Sequence, residues 1–122
     1  MRPRALIIDD DEPIRVMLAA ILRQQGFVVD TARDGDDAIK CLQKEHGYKV
    51  ILLDLMMPRV NGYDVLRHMA ANWPDLLKRT IVATAVPEKE IRRELTQPVF
   101  RVHLKPFELP KLIADVRVCA AD

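Results

Sequence analysis

The chain has 122 residues, of which 49% are hydrophobic and 30% charged, with 19 basic against 18 acidic side chains. That is one domain of ordinary size with enough apolar material for an unstapled core, which excludes a disordered tail, a collagen-like repeat and a disulfide scaffold. The near-neutral balance speaks against a dedicated nucleic-acid binder, which carries a basic excess, and no apolar run approaches a membrane span.

The opening Met1-Arg2-Pro3-Arg4 is basic like the start of a signal peptide, yet only Ala5 to Ile8 follow before an acidic triplet. That is too short for a signal's apolar region, so the expectation is a soluble cytoplasmic domain. Ala5-Leu6-Ile7-Ile8 predicts a first strand, interrupted by Asp9-Asp10-Asp11. Ile14, Met17, Leu18, Ile21 and Leu22 mark one face of a helix. Asp11 suits its cap, Pro13 its first turn and Gly26 its end. Phe27 to Ala32 predicts a second strand. Ala38, Ile39 and Leu42 mark a second helix, opened by Asp34-Gly35-Asp36-Asp37 and closed near Gly47. Val50 to Leu53 is a third strand ending in Asp54, followed by a loop through Met56-Met57-Pro58 and Asn61-Gly62. Val65, Leu66 and Met69 carry a third helix that ends by Trp73-Pro74. Thr80 to Ala83 is a fourth strand ending in Thr84, and Glu88 to Leu95 a short charged helix closed before Pro98. Phe100 to Leu104 is a fifth strand ending in Lys105-Pro106, and Leu109, Leu112, Ile113 and Val116 mark the last helix. Cys41 and Cys119 match no metal or redox spacing and read as small apolar residues. His46, His68 and His103 likewise lack metal spacing and read as surface or rim residues.

Five strands alternate with five helices. Strands that are apolar on every residue suit burial on both faces, hence a parallel sheet. Asp9, Asp10, Asp54, Thr84 and Lys105 each follow an apolar run and so fall at the C-terminal edge of that sheet. Open α/β sheets bind ligands there. If the first and third strands are neighbours, about 4.8 Å apart, the three carboxylates crowd one site. A like-charged pair about 4 Å apart costs roughly 4 kcal/mol at an effective dielectric near 20. A hard divalent cation offsets this, and Mg²⁺ suits a site of few carboxylates that also binds phosphate. With the Thr84 hydroxyl and the Lys105 ammonium, the set describes phosphoryl transfer onto a carboxylate. On its own, Asp9-Asp10-Asp11-Glu12 also fits a charged helix start; Asp54 and Lys105 make the difference.

Ile8-Asp9-Asp10, Leu53-Asp54-Leu55-Met56-Met57-Pro58, Asn61-Gly62, Ala83-Thr84-Ala85 and Lys105-Pro106-Phe107 together resemble a response-regulator receiver domain of two-component signalling. The likeness runs from Ala5 to about Val118. It implies a single flavodoxin-like (βα)5 domain over 1–122 with strand order 2-1-3-4-5 and helices on both faces. It implies that Asp54 accepts a phosphoryl group from a sensor histidine kinase or phosphotransfer protein. Asp10 would bind Mg²⁺ directly, Asp9 directly or through water, and Asp54 and the Met56 carbonyl would complete the protein ligands. Thr84 and Lys105 would hold the phosphoryl oxygens, and the Lys105–Pro106 bond would be cis. The domain would assist its own phosphorylation and dephosphorylation without being a turnover enzyme. It would signal to an output domain or protein through the fourth helix, fifth strand and fifth helix. It would touch neither nucleic acid nor membrane, and exist as a monomer or weak homodimer.

The stretch into the fifth strand departs from the pattern: Leu95-Thr96-Gln97-Pro98-Val99 stands where the family tends to have Gly-Ala, and the interval from Thr84 to Lys105 is about one residue short. The family carries Tyr or Phe three residues before the lysine, where this chain has Val102. Strand alternation puts Phe100 on the same sheet face as Val102. Two other functions fit parts of the sequence. A pseudo-receiver binding module is favoured by Val102 and opposed by the complete acid, threonine and lysine set. A haloacid-dehalogenase-like phosphatase would use Asp9 as nucleophile, but leaves Asp54 unexplained and lacks a cap domain.

Overall fold

The structure is a computed structural model that describes residues 2–45, 47–57 and 59–121. Expectations that touch Met1, His46, Pro58 and Asp122 lie outside these residues. The described elements are β1 (Arg4–Ile8), α1 (Glu12–Gln24), β2 (Val28–Ala32), α2 (Gly35–Lys44), β3 (Tyr48–Leu53), α3 (Gly62–Asn72), β4 (Thr80–Thr84), α4 (Glu88–Glu94), β5 (Arg101–Leu104) and α5 (Leu109–Ala121). The strands form one parallel sheet in the order β2-β1-β3-β4-β5. The expected architecture and strand order are therefore found.

The period-two geometry of a strand sorts the core into two layers. Leu6, Ile8, Ile51, Leu53 and Val82 meet Ala38 and Leu42 of α2 and Val65, Leu66 and Met69 of α3. Ala5, Ile7, Val50, Leu52 and Ile81 meet Leu18, Ala19 and Leu22 of α1 and Leu112, Val116 and Cys119 of α5. Each fully buried Leu or Ile contributes about 1.5–3 kcal/mol, so both faces of the central strands stabilise the sheet. The two layers hold the strand ends in register. Ile8 pairs with Leu53, and the Asp54 N–H donates to Ile8 O at 2.9 Å. Thr84 pairs with Leu104, and the Lys105 N–H donates to Thr84 O at 2.8 Å.

Helix starts follow their caps. The Asp11 carboxylate accepts from Ile14 N–H, Asp34 accepts from Asp37 N–H, and Asn61 with Asp64 forms a reciprocal capping box. The expected loop at Asn61-Gly62 is therefore a helix start. Gly26 follows α1 with φ +96°, a left-handed conformation that favours glycine.

The structure corrects three further expectations. The connection after Trp73 is a 3₁₀ segment, Pro74–Arg79, whose Leu76 and Leu77 are buried; Pro74 ends the α-helix but starts a tighter turn. The third strand, expected from Val50, already begins at Tyr48. Phe100 does not share a face with Val102. It precedes β5, where strand alternation is not yet established, and packs with the Ala5 and Ile7 layer. Val102 registers with Val82, whose side chain belongs to the opposite layer.

Gly62 sits hard against the loop that follows β3. A Cβ there would lie 2.4 Å from Asp54 O and 2.5 Å from Leu55 Cα. Both are backbone atoms and cannot swing aside. Gly62→Ala is expected to cost about 3 kcal/mol or more, as an overpacked site. Gly26→Ala, with open space around it, should cost about 1–2 kcal/mol from its left-handed backbone alone. Urea denaturation of the two variants checks the order.

Candidate functional site

Four strand exits build the site. β1 delivers Asp9, β3 Asp54, β4 Thr84 and β5 Lys105. Asp9, Asp54 and Thr84 are 2%, 4% and 0% exposed, while Asp10 faces solvent. Ligand oxygens of Asp9, Asp10 and Asp54 lie within 4.8 Å of one another. The three sequence-predicted acids therefore converge.

Every oxygen of the two buried carboxylates is engaged. Asp54 Oδ1 accepts from the Thr84 hydroxyl at 2.8 Å and from the Met56 N–H at 3.1 Å. Asp54 Oδ2 accepts from Lys105 Nζ at 3.3 Å. The same ammonium donates to Asp9 Oδ2 at 2.9 Å, and the Asp11 N–H donates to Asp9 Oδ1 at 2.9 Å. Thr84 Oγ1 in turn accepts from the Val86 N–H at 3.3 Å. The Lys105–Pro106 bond is cis, as expected. Met56 lies two residues past Asp54 with its side chain exposed and its N–H turned to the Asp54 carboxylate. Beside the acids a groove of about 430 Å³ opens between Met56, Asn61, Tyr63, Val86 and Glu90, with Asp10 on its rim.

Charge is unbalanced here, with three carboxylates against one ammonium. Burial pushes the Asp9 carboxyl above its ordinary value; hydrogen bonds from the Asp11 N–H and Lys105 pull the other way, and the Asp54 charge adds to the rise. Burial also works against the Lys105 ammonium, but the Asp9 hydrogen bond and the charges of Asp54 and Asp9 win, and its value is raised. Two unit charges within 4.8 Å of each other repel by at least roughly 3 kcal/mol at an effective dielectric of 20, less where Asp10 meets solvent. The donor set is all oxygen, hard and anionic. That fits Mg²⁺ and does not fit zinc, which favours nitrogen and sulfur.

Other sequence readings divide. Asp11 caps α1 as expected. His68 packs its ring against Trp73. His103 lies on the rim, but it has a partner the sequence did not announce: Asp115 of α5, at 2.7 Å. A second missed contact lies nearer the acids. Arg15 Nη1 donates to the Asp9 carbonyl at 2.8 Å. No periodicity signals it, because a six-residue link between a strand exit and a helix belongs to neither repeat.

Two outcomes follow from the charge imbalance. Without divalent cation, Asp10→Asn should stabilise the protein by about 1 kcal/mol, the scale of an exposed charge pair. That is a melting rise of roughly 3–6 °C for a domain of this size. Added Mg²⁺ should then raise the wild-type melting temperature and leave the variant's nearly unchanged. The raised Asp9 value means that its protonation stabilises the fold fully below the ordinary 3.8. This contribution is lost as pH rises through the raised folded value. Metal-free wild type should therefore lose stability relative to Asp9→Asn over that interval, as followed by denaturant midpoints at successive pH values.

Known proteins place the chain. The family profile of the response regulator receiver domain matches residues 5–117. The DNA-binding response regulator MtrA of Mycolicibacterium smegmatis is 34% identical over 118 residues, covering 96% of this chain and 50% of that protein. The chain thus spans about half the length of the curated relatives it matches. A response regulator receiver protein from Pseudomonas putida superposes with a TM-score of 0.88 at 26% identity, over 97% of this chain and 98% of that one. TrrA of Thermotoga maritima, solved in complex with Mg²⁺ and BeF, superposes with a TM-score of 0.83 at 27% identity, over 96% and 98% of the two chains. A parallel sheet of order 2-1-3-4-5, acids converging at its C-terminal edge and these likenesses all agree: the chain belongs to the response regulator receiver domain family.

Proposed function

We propose that this receiver domain accepts a phosphoryl group on Asp54 from the phosphohistidine of a sensor histidine kinase or phosphotransfer protein. An Asp54 carboxylate oxygen attacks phosphorus, the P–N bond breaks, and the imidazole leaves. The carrying observation is the Asp54 carboxylate itself. It is buried between the Thr84 hydroxyl and the Lys105 ammonium, beside two further acids. Those two donors suit the charge that builds on the transferred oxygens. Asp9, Asp10, Asp54 and the Met56 carbonyl would hold Mg²⁺. When bound, the ion supplies the positive charge that the acids lack and neutralises the phosphoryl group. The structure of TrrA with Mg²⁺ and BeF supports this reading for a relative of the same fold.

The domain is a switch and not a turnover enzyme; it assists only its own phosphorylation and dephosphorylation. Its output passes to a downstream domain or protein through α4, β5 and α5. Val102 and Leu104 stand 38% and 42% exposed there, and α4 buries only Ile91. That face offers apolar contact area and a helix with little holding it. The domain itself makes no nucleic-acid or membrane contact and is a monomer or weak homodimer. Among the described residues no helix is long and apolar enough to cross a membrane.

Incubation with acetyl phosphate or phosphoramidate and Mg²⁺, followed by intact mass, tests the reading. One phosphoryl adduct is expected on the wild type and none on Asp54→Asn. Thr84→Ala should slow its formation about 10²-fold, the usual effect of removing one donor to a developing oxyanion. Adduct formation that survives Asp54→Asn but fails in Asp9→Asn would overturn the assignment.

A further inference from the structure

The phosphorylation reading uses Asp9, Asp10, Asp54, Thr84 and Lys105, but not the guanidinium that reaches over the turn from β1 to α1. Asp9 is fixed at three points. Its N–H donates to Ala32 O at 3.1 Å. Its carboxylate is held by Lys105 and by the Asp11 N–H. Its carbonyl accepts from Arg15 Nη1 at 2.8 Å. That carbonyl belongs to the peptide plane joining Asp9 to Asp10. The plane's orientation sets the direction in which the Asp10 Cα and carboxylate leave the strand. Asp10 itself is exposed, and none of the described residues donates a hydrogen bond to its carboxylate. Its position therefore rests on the backbone at either side. Asp11 secures one side by capping α1 through the Ile14 N–H at 3.2 Å. Arg15 secures the other.

We infer that Arg15 is a positioning residue for the cation site: it holds the Asp9–Asp10 peptide so that Asp10 faces the pocket it shares with Asp9 and Asp54. This rests on the proposed Mg²⁺ site and extends it to a residue outside the acid set. The inference has an unusual sign. A guanidinium near three carboxylates offsets part of their charge, so as a mere neighbour it weakens cation binding, and its removal should tighten Mg²⁺. As a positioning group it does the reverse. Partners that orient metal ligands typically contribute 10–100-fold in metal affinity. Lysine does not substitute fully, because its single ammonium lacks the planar fork of arginine.

The test is Mg²⁺ titration of the full chain by calorimetry, with the Asp10 and Asp11 amide shifts as a second readout. Wild type, Arg15→Gln, Arg15→Lys and Asp10→Ala are compared. Arg15→Gln should weaken Mg²⁺ about 10-fold or more, and Arg15→Lys should weaken it less. In both, the amides of Asp10 and Asp11 should shift before any metal is added, while amides of α3 stay in place and report an intact fold. Unchanged or tighter Mg²⁺ binding in Arg15→Gln, with Asp10→Ala defective, overturns the positioning role and leaves the site reading standing. Wild-type affinity in Asp10→Ala overturns the site reading itself. Equal affinity of Arg15→Lys and wild type, with Arg15→Gln weaker, also supports the role, since a neighbouring positive charge by itself would weaken cation binding and only a retained donor to the Asp9 carbonyl explains the rescue.

Discussion

The Lys105 ammonium ties the molecule together. It reaches from the end of an edge strand to carboxylates at the ends of two central ones, at 2.9 and 3.3 Å. One long side chain thus spans β5, β3 and β1. Breaking such a buried contact leaves uncompensated charge, which is far more costly than the net worth of the pair. The acid pocket can therefore exist before any cation arrives, and β5 is held to the sheet at its C-terminal end even though its own side chains are largely exposed. The same tie accounts for the opposing pressures on Asp9: burial raises its carboxyl, and Lys105 restrains the rise.

Much of this was legible in the sequence because the physical signals were redundant. Ala5 to Ile8 and Val50 to Leu53 are apolar on consecutive residues, a pattern that only a strand covered on both faces sustains. A polar residue after each run then marks the sheet edge without further information. Asp11 was recognisable as a cap because a short acid before an apolar helix face has few other uses. The illegible parts depended on contacts without a repeat. Phe100 alternates correctly with Val102 on paper, but sits before the strand begins. Pro74 announces the end of one helix, and nothing distinguishes that from the start of a 3₁₀ turn. His103 meets Asp115 across twelve residues and two elements, a distance at which periodicity has nothing to say.

The region around Val102 is weakly anchored. α4 has seven residues, no side-chain cap and one buried side chain. β5 carries Val102 where the family resemblance implies a Tyr or Phe, and Phe100 lies in the other layer, so neither residue places a ring beneath α4. What connects this region to Asp54 is polar and short: the Asp54 carboxylate to the Thr84 hydroxyl, and that hydroxyl to the Val86 amide.

A hydroxyl has one proton. Thr84 has already committed its own to Asp54 Oδ1, while its lone pair holds the first turn of backbone beyond β4. On the proposed reading, a tetrahedral anion formed on that carboxylate would inherit both ends of the arrangement. Competition for a single hydrogen is then also a pull on the chain leading into α4, and a ring is not required to transmit it.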